Sequence, residues 1–181
     1  MHLTTERLLI RDFDQADKLD LFRMIWQSNV VKFMQDWSAY AMQSDDLTNF
    51  IDYMQTKQSC IDVRINKRYG IELKTSGKLI GMIGMGLEET LNEVELAYFI
   101  DENYQNNGYA SEALIALYDW CMQVSSLDYM ILTIDKANKA SCKVAEKAGF
   151  ELFEERKPIS HKQPNMISDK YYYYRKYRNS K

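Results

Sequence analysis

The sequence predicts a mixed α/β fold, in which a largely antiparallel central sheet of about seven strands carries helices on both faces. Three observations lead to this prediction. Strand-length apolar runs separated by short turns fill residues 69–100, an amphipathic run of helical period begins at Ala110, and a late strand, a short helix and a closing hairpin follow it. The 181 residues are 46% hydrophobic, enough for one well-covered core, and no linker or repeat divides them. Residues 1–181 are therefore predicted to form a single domain.

The first part of the chain is predicted to hold one strand and two helices. Residues 3–13 have strand character, and Asp14 is a plausible cap for a helix after them. The residues that we expect to share one side of this helix are Ala16, Leu19, Phe22 and Arg23. A second helix is predicted over roughly residues 44–57, and the aromatic-rich residues 30–40 connect the two. This connection is expected either to wall a binding pocket or to cap the core.

The middle of the chain is predicted to be an antiparallel meander. Its strands cover residues 69–74, 79–87 and 94–100, with a turn at Ser76-Gly77-Lys78. Apolar residues at helical spacing over 110–121 predict a helix packed against the sheet. Residues 129–134 then return as a buried strand.

The last part is predicted to be a short helix followed by a hairpin. The helix spans about residues 139–148, where Asn138 is a good N-cap and Gly149 a good left-handed terminator. Residues 150–156 and 170–177 form the hairpin. Its connection, residues 157–169, contains both prolines and is the segment we expect to be mobile.

Composition excludes several classes of function. A net charge of −3 disfavours nucleic-acid binding and suits a cationic, amine-bearing partner. No apolar run is long enough to cross a membrane and the start resembles no secretion signal, so a cytoplasmic protein without a membrane partner is expected. Three widely spaced cysteines indicate reduced core thiols, and two isolated histidines predict no metal site.

The most informative segment, residues 101–113, joins a strand directly to an amphipathic helix. The first N–H groups of a helix are unpaired and carry partial positive charge, so inward-pointing amides here would bind a diphosphate. Gly108 lets the backbone approach a ligand closely, and Ala110 keeps the helix entry narrow. The segment lacks the Gly-Lys-Ser/Thr of a nucleotide loop and the three glycines of a dinucleotide loop. An ordinary strand-to-helix turn is the alternative.

The segment Gln105-Asn-Asn-Gly108-Tyr-Ala110 resembles the Gln/Arg-x-x-Gly-x-Gly/Ala motif of the GNAT N-acetyltransferase superfamily. The opening Leu3-Thr-Thr-Glu-Arg-Leu-Leu-Ile-Arg11 is similar to the first strand of its ribosomal-protein N-terminal (Rim-type) branch. Further resemblance to that branch lies in Asn138-x-x-Ser141, in Glu146-Lys-Ala-Gly-Phe150, and in Asp169 with the tyrosine run after it. The likeness therefore spans nearly the whole chain.

The resemblance implies that acetyl-coenzyme A is the cosubstrate and that no metal takes part. Pantetheine would lie along the fourth predicted strand as an added half-strand held by backbone amides, one of which would serve the oxyanion. The family often has Lys or Arg where this chain has two asparagines, and Lys139 and Lys143 are candidates for the missing charge, unless they are ordinary solvated lysines. The predicted cofactor-binding residues are Phe99, Ile100, Gln105, Asn106, Asn107, Gly108, Tyr109, Ala110, Ser111, Asn138 and Lys143.

Amine attack on a thioester needs a base, oxyanion donors and a group that stabilises the leaving thiolate. Glu95 is the first candidate base because it interrupts an apolar strand, although an exposed strand end would explain it equally; Glu72 is a weaker alternative. Many relatives place a tyrosine donor where this chain has Ala145, and the Rim-type pattern offers Ser141 instead. Asn138 and Ser141 also make sense as N-cap and N3 of a helix. Tyr98 and Tyr104 are reserve donors, and Cys142 is a poor nucleophile because no base adjoins it.

The acceptor is the open part of the prediction. The Rim-type resemblance implies the α-amine of a protein or peptide. Asp36, Asp45 and Asp46 are expected either to attract a peptide N-terminus or a polyamine, or to serve as ordinary carboxylates at a helix start. A polyamine or aminoglycoside acceptor, or a non-catalytic acetyl-coenzyme A sensor, are the alternatives. A homodimer is also left open, since relatives of this fold often pair through sheet edges or helices.

Overall fold

The computed structural model describes residues 1–34, 48–56, 60–157 and 170–178. The predicted start of the second helix, Asp36, Asp45, Asp46 and nearly all of the connection 157–169 lie outside these residues.

One mixed sheet organises the described residues. In chain order its strands are β1 (His2–Thr4), β2 (Leu8–Arg11), β3 (Lys67–Leu73), β4 (Lys78–Glu88), β5 (Glu93–Ile100), β6 (Tyr129–Asp135), β7 (Glu151–Arg156) and β8 (Tyr171–Tyr177). Their order across the sheet is β1-β2-β3-β4-β5-β6-β8-β7. Neighbours run antiparallel everywhere except β5 and β6, which run parallel. The predicted meander and closing hairpin are confirmed.

The single strand predicted over residues 3–13 is wrong, because the chain turns back on itself there. The hydroxyl of Thr5 donates to the carboxylate of Glu112, which also accepts from the main-chain N–H of Arg7 at 2.9 Å. These bonds hold the turn between β1 and β2, which pair with His2 opposite Arg11. A side chain 105 residues away along the sequence therefore divides the predicted strand in two.

Helices cover both faces of the sheet, as predicted. They are α1 (Lys18–Ile25), α2 (Ser28–Phe33), α3 (Thr48–Thr56), α4 (Tyr109–Val124) and α5 (Lys139–Lys147). The core under α4 and α5 includes Leu114, Leu117, Ile83 and Leu132, whereas the opposite core gathers residues of α1, α2 and α3 around Phe99. Residues 30–33 of the predicted aromatic connection belong to α2.

The start of α1 was predicted correctly. Asp14 caps a 3-10 turn, Gln15–Asp17, in a capping box, and α1 continues from that turn. The buried residues of α1 are Leu21, Met24 and Ile25. Leu19, Phe22 and Arg23 share the opposite side of α1, which is exposed, with Leu19 80% accessible.

Candidate active site

A gap opens in the sheet between β5 and β6. Within these two strands, both fully described, one register pair joins them, Glu95 opposite Ile131. Beyond it the strands separate toward their carboxyl ends. The main-chain N–H of Asp101 donates to Ile80 of β4, so by strand alternation the N–H groups of Ile100 and Tyr98 point away from β4 into the gap. Backbone donors therefore line one side of it.

The predicted diphosphate loop lies where β5 ends and α4 begins. Asn106 and Gly108 have positive φ angles of 64° and 81°. The side-chain amide of Gln105 donates to the carbonyl of Ile100 at 3.0 Å, and that of Asn107 to the carbonyl of Gln105 at 2.9 Å. Both amide side chains thus shape the loop itself.

The helix entry offers main-chain donors. Gly108 is the N-cap of α4, and within the described part of the chain no side chain caps its first turn. The N–H groups of Tyr109, Ala110 and Ser111 head that turn and have no partner within the helix. Ser111 is buried beneath them. The loop thus presents backbone nitrogens at the start of α4, and their use in binding a diphosphate stays a prediction.

Two cationic side chains, Arg7 and Lys147, flank Gly108, and neither was predicted from the loop sequence. A Cβ atom placed on Gly108 would lie 3.5 Å from both Arg7 Nη2 and Lys147 Nζ. Arg7 also donates to the carbonyl of Asn107 at 2.9 Å and lies 4.5 Å over the ring of Tyr109. Lys147 adjoins the loop from the far end of α5. The sequence feature that could have identified Lys147 is helical spacing, because it lies four residues after Lys143 and so shares the same helix face.

The predicted lysines occupy different places. Lys143 is exposed one turn before Lys147, on the side of α5 that reaches the loop. The ammonium of Lys139 lies 5.5 Å from the ring of Tyr172 instead. Of these two candidates, Lys143 keeps its assignment as the missing charge.

Glu95 lies where the gap begins. Its carboxylate accepts hydrogen bonds from the main-chain N–H of Thr133, at 3.0 Å, and from the Thr133 hydroxyl. Burial raises the pKa of Glu95 above its ordinary value, while the bonds from Thr133 and the charge of Arg68 act in the opposite direction. The carboxylate thus bridges the two diverging strands and binds protons more readily than a solvated one.

Ser141 lies in the first turn of α5. Its N–H donates to the side-chain oxygen of Asn138 at 3.1 Å, so the predicted N-cap is confirmed. Its hydroxyl lies 2.9 Å from the hydroxyl of Tyr98 on β5. Because Tyr98 is three residues after Glu95 on one strand, the two side chains leave the sheet on opposite faces. The candidate base and the candidate thiolate stabiliser therefore flank the gap from opposite sides.

Asp101 ties the loop to α1. Its fully buried carboxylate forms a 2.7 Å ion pair with Arg23 and accepts from the side-chain amide of Gln27 at 3.1 Å. The Gln27 side-chain oxygen in turn accepts from the N–H of Glu102 at 3.0 Å. Burial alone would raise the pKa of Asp101, but hydrogen bonds from Asn103, Gln27 and Arg23 together lower it. A groove of about 440 Å³ adjoins this cluster.

The remaining candidates lie in three different surroundings. The carboxylate of Glu72 is paired with Arg11 at 2.6 Å in the outer part of the sheet. Cys142 is buried, and burial raises the pKa of its thiol, which disfavours a nucleophilic role. Tyr104 lines the groove beside Asp101.

No helix among the described residues combines the length and apolarity that crossing a bilayer requires. In the same part of the chain, no group of three or more His, Cys, Asp or Glu side chains is placed to hold a metal ion.

A sheet that opens between two parallel strands beside an uncapped, cation-flanked helix start is the arrangement that the resemblance implied for an acyl-coenzyme A-dependent N-acyltransferase. Comparison with known proteins agrees. Residues 7–151 match the model of the acetyltransferase (GNAT) domain, and the chain belongs to that family. It is an N-acetyltransferase, which favours the enzyme over the sensor interpretation.

Several known proteins resemble the chain over most of its length. The uncharacterized N-acetyltransferase YnaD of Bacillus subtilis (strain 168) is 28% identical over 150 residues, covering 83% of this chain and 82% of YnaD. A GNAT-family acetyltransferase crystal structure from Bacillus anthracis is 25% identical, with a TM-score of 0.75 and 98% of each chain covered. The ribosomal L7/L12 α-N-protein acetyltransferase RimL, solved with coenzyme A, has the same TM-score and coverage at 17% identity, which shows the fold alone.

Proposed function

We propose that this N-acetyltransferase moves the acetyl group of acetyl-coenzyme A directly onto the α-amine of a peptide or protein N-terminus. The observation that carries the proposal is the position of Glu95, a half-buried carboxylate with a raised pKa at the start of the gap. Ser141 lies on the other face of the sheet. The other proposed groups lie on β5, on the loop that leads into α4, and on α5.

The loop fits the diphosphate of coenzyme A. Absence of a side chain at Gly108 leaves the helix start open, and Arg7 Nη2 and Lys147 Nζ both lie 3.5 Å from where a Cβ atom would be. Main-chain N–H groups and converging cations are the donors that a diphosphate binds. We assign the diphosphate to residues 105–111 with Lys143 and Lys147, and the pantetheine to the gap edge at Phe99 and Ile100. Asn138 holds the start of α5 against the same gap.

Acetyl-coenzyme A supplies an acyl carbon activated as a thioester. Glu95 accepts the proton that the attacking amine loses, and the N–H groups of Tyr98 and Ile100 stabilise the negative oxygen. The carbon–sulfur bond then breaks and the sulfur departs with its electron pair. Ser141 donates a hydrogen bond to that sulfur, so the two side chains act on opposite faces of one reacting centre.

A lone carboxylate suits an α-amine better than a lysine. At pH 7 deprotonation costs about 1.2 kcal/mol for an α-amine and about 4.6 kcal/mol for a lysine side chain. Burial raises the pKa of Glu95 and so makes it a better proton acceptor than a solvated carboxylate, and such a base assists the smaller cost more readily than the larger. The smaller cost therefore favours an α-amine acceptor.

A thiol-release assay with matched peptides tests the acceptor. One peptide has a free N-terminus and no lysine, and its partner has a blocked N-terminus and one lysine; spermidine and an aminoglycoside complete the panel. We expect turnover on the free N-terminus only, with mass spectrometry locating the acetyl group on the α-nitrogen. Turnover on spermidine or the aminoglycoside, with both peptides inert, would replace this proposal by a small-amine acetyltransferase.

A further inference from the structure

Two hydroxyl groups meet across the gap between β5 and β6. Tyr98 belongs to β5, and Ser141 belongs to α5, the helix that follows β6. The Tyr98 hydroxyl lies 2.9 Å from Ser141 Oγ and 3.3 Å from the Ser141 carbonyl oxygen. The ring of Tyr98 packs against the core beneath α4 and α5, so the hydroxyl is held in place by the rest of its side chain.

The two hydroxyl protons can be arranged in two ways. If Ser141 donates to Tyr98, the Tyr98 proton goes to the Ser141 carbonyl, and neither hydroxyl retains a proton for a ligand. If Tyr98 donates to Ser141 Oγ, the proton of Ser141 is left to point elsewhere. The 2.9 Å contact between the two hydroxyls is present in both arrangements, and only the second leaves the serine proton available to a ligand.

We propose that Tyr98 is a positioning residue for Ser141, whose hydroxyl it holds so that the serine proton points into the gap toward the leaving sulfur. This inference rests on the proposed function and adds a specific part to it. Ser141 remains the group that touches the substrate, and Tyr98 acts through it. No proton is lost by Tyr98, and burial raises the pKa of its hydroxyl, which keeps it a donor at neutral pH.

A double-mutant cycle in the full chain tests the proposal. Tyr98→Phe removes the hydroxyl and keeps the ring. We expect kcat to fall about tenfold and the KM for acetyl-coenzyme A to change less than about twofold, because positioning the stabiliser affects the transition state more than binding. Ser141→Ala should lose at least as much, and the double variant should be no slower than Ser141→Ala. Ser141→Thr retains a hydroxyl and should recover most of the rate.

The matched control is Tyr118→Phe, in the same core. Its hydroxyl donates to the carbonyl of Tyr177 at 2.8 Å, at the other end of the sheet from the loop. We expect this control to lower Tm without changing kcat. It thus separates loss of a buried tyrosine hydroxyl from loss of the one that contacts Ser141.

Four outcomes would overturn one claim or the other. Wild-type kcat in Tyr98→Phe, or equal losses from Tyr98→Phe whether or not Ser141→Ala is also present, would give Tyr98 a purely structural role while leaving the acetyltransferase intact. Wild-type kcat in Ser141→Ala would remove Ser141 from the proposed function itself. Failure of the free N-terminal peptide in the acceptor panel contradicts the substrate class and leaves the cycle to be measured on whichever amine is accepted.

Discussion

Replacing Glu95 with Gln separates its proposed catalytic role from its structural one. The amide oxygen can still accept from Thr133, so the bridge between β5 and β6 is retained. The variant cannot take a proton from the amine. We therefore expect kcat at pH 7 to fall about 10²-fold, within the range that a general base contributes, with the KM for acetyl-coenzyme A unchanged.

The pH dependence of kcat provides a second test of the role of Glu95 as a base. The neutral fraction of an α-amine rises from about 0.1 at pH 7 to about 0.9 at pH 9. Without its base, Glu95→Gln should depend on that fraction, so its kcat should rise about eightfold over this interval. The wild type should change less. Initial rates of thiol release at saturating peptide measure both, and equal kcat values for the two enzymes at pH 7 would refute the reasoning.

For Glu95→Gln we expect stability to change in the opposite direction to activity. Because burial raises the pKa of Glu95 above its unfolded value, the folded state binds more protons, and stability falls as pH rises from the unfolded pKa through the folded one. The loss of folding stability that comes from burying the charged carboxylate is absent below that pH interval and fully present above it. Thermal unfolding should show Glu95→Gln at least as stable as the wild type at neutral pH, with a smaller decrease in Tm between acidic and neutral pH.

Three further substitutions test the cofactor loop and the fold. Gly108→Ala places a Cβ atom at a φ of 81°, where a non-glycine residue costs about 1–2 kcal/mol. The same Cβ atom would lie between two cationic side chains. Calorimetry should therefore show weaker binding of coenzyme A, with little change in kcat at saturating coenzyme. Arg178→Ala removes donors to the carbonyls of Met122, Ser125 and Leu127 at the end of α4, which should lower the free energy of unfolding by about 1–3 kcal/mol with kcat unchanged. Gly84→Ala would bring a Cβ atom to 2.2 Å from the main-chain oxygen of Lys67, and we expect a loss of about 3 kcal/mol in urea unfolding; a Tm equal to the wild type would contradict the close approach of β3 and β4.

Features determined by local backbone chemistry were predictable from the sequence. Gly77, Gly108 and Gly149 were each predicted at a turn or helix boundary, and all three have positive φ angles. The long helix α4 followed from the apolar period of its buried side, and Asn138 from its capping chemistry. Each of these predictions depends on neighbours a few residues away.

Features that depend on distant contacts were not predictable. The Arg7 guanidinium adjoins a loop 100 residues further along the chain, and Tyr98 meets Ser141 across 43 residues. The pairing of Thr5 with Glu112 likewise divided a strand that local pattern left whole. A single sequence assigns each of these side chains a type and an approximate element, but not its partner.

The proposed anion site would take its positive charge from outside the loop motif, which lacks a basic residue. Arg7 is largely committed to Glu112, at 2.6 Å, and Arg23 to Asp101, so both arginines chiefly fasten the loop to the turn between β1 and β2 and to α1. Lys147 forms no ion pair with any acidic side chain in the described part of the chain, and its charge is not offset there. Backbone donors and lysine charge thus come from separate elements, α4 and α5. Affinity for coenzyme A should therefore depend on ionic strength through Lys143 and Lys147, whereas loop geometry depends on Arg7 and Asp101.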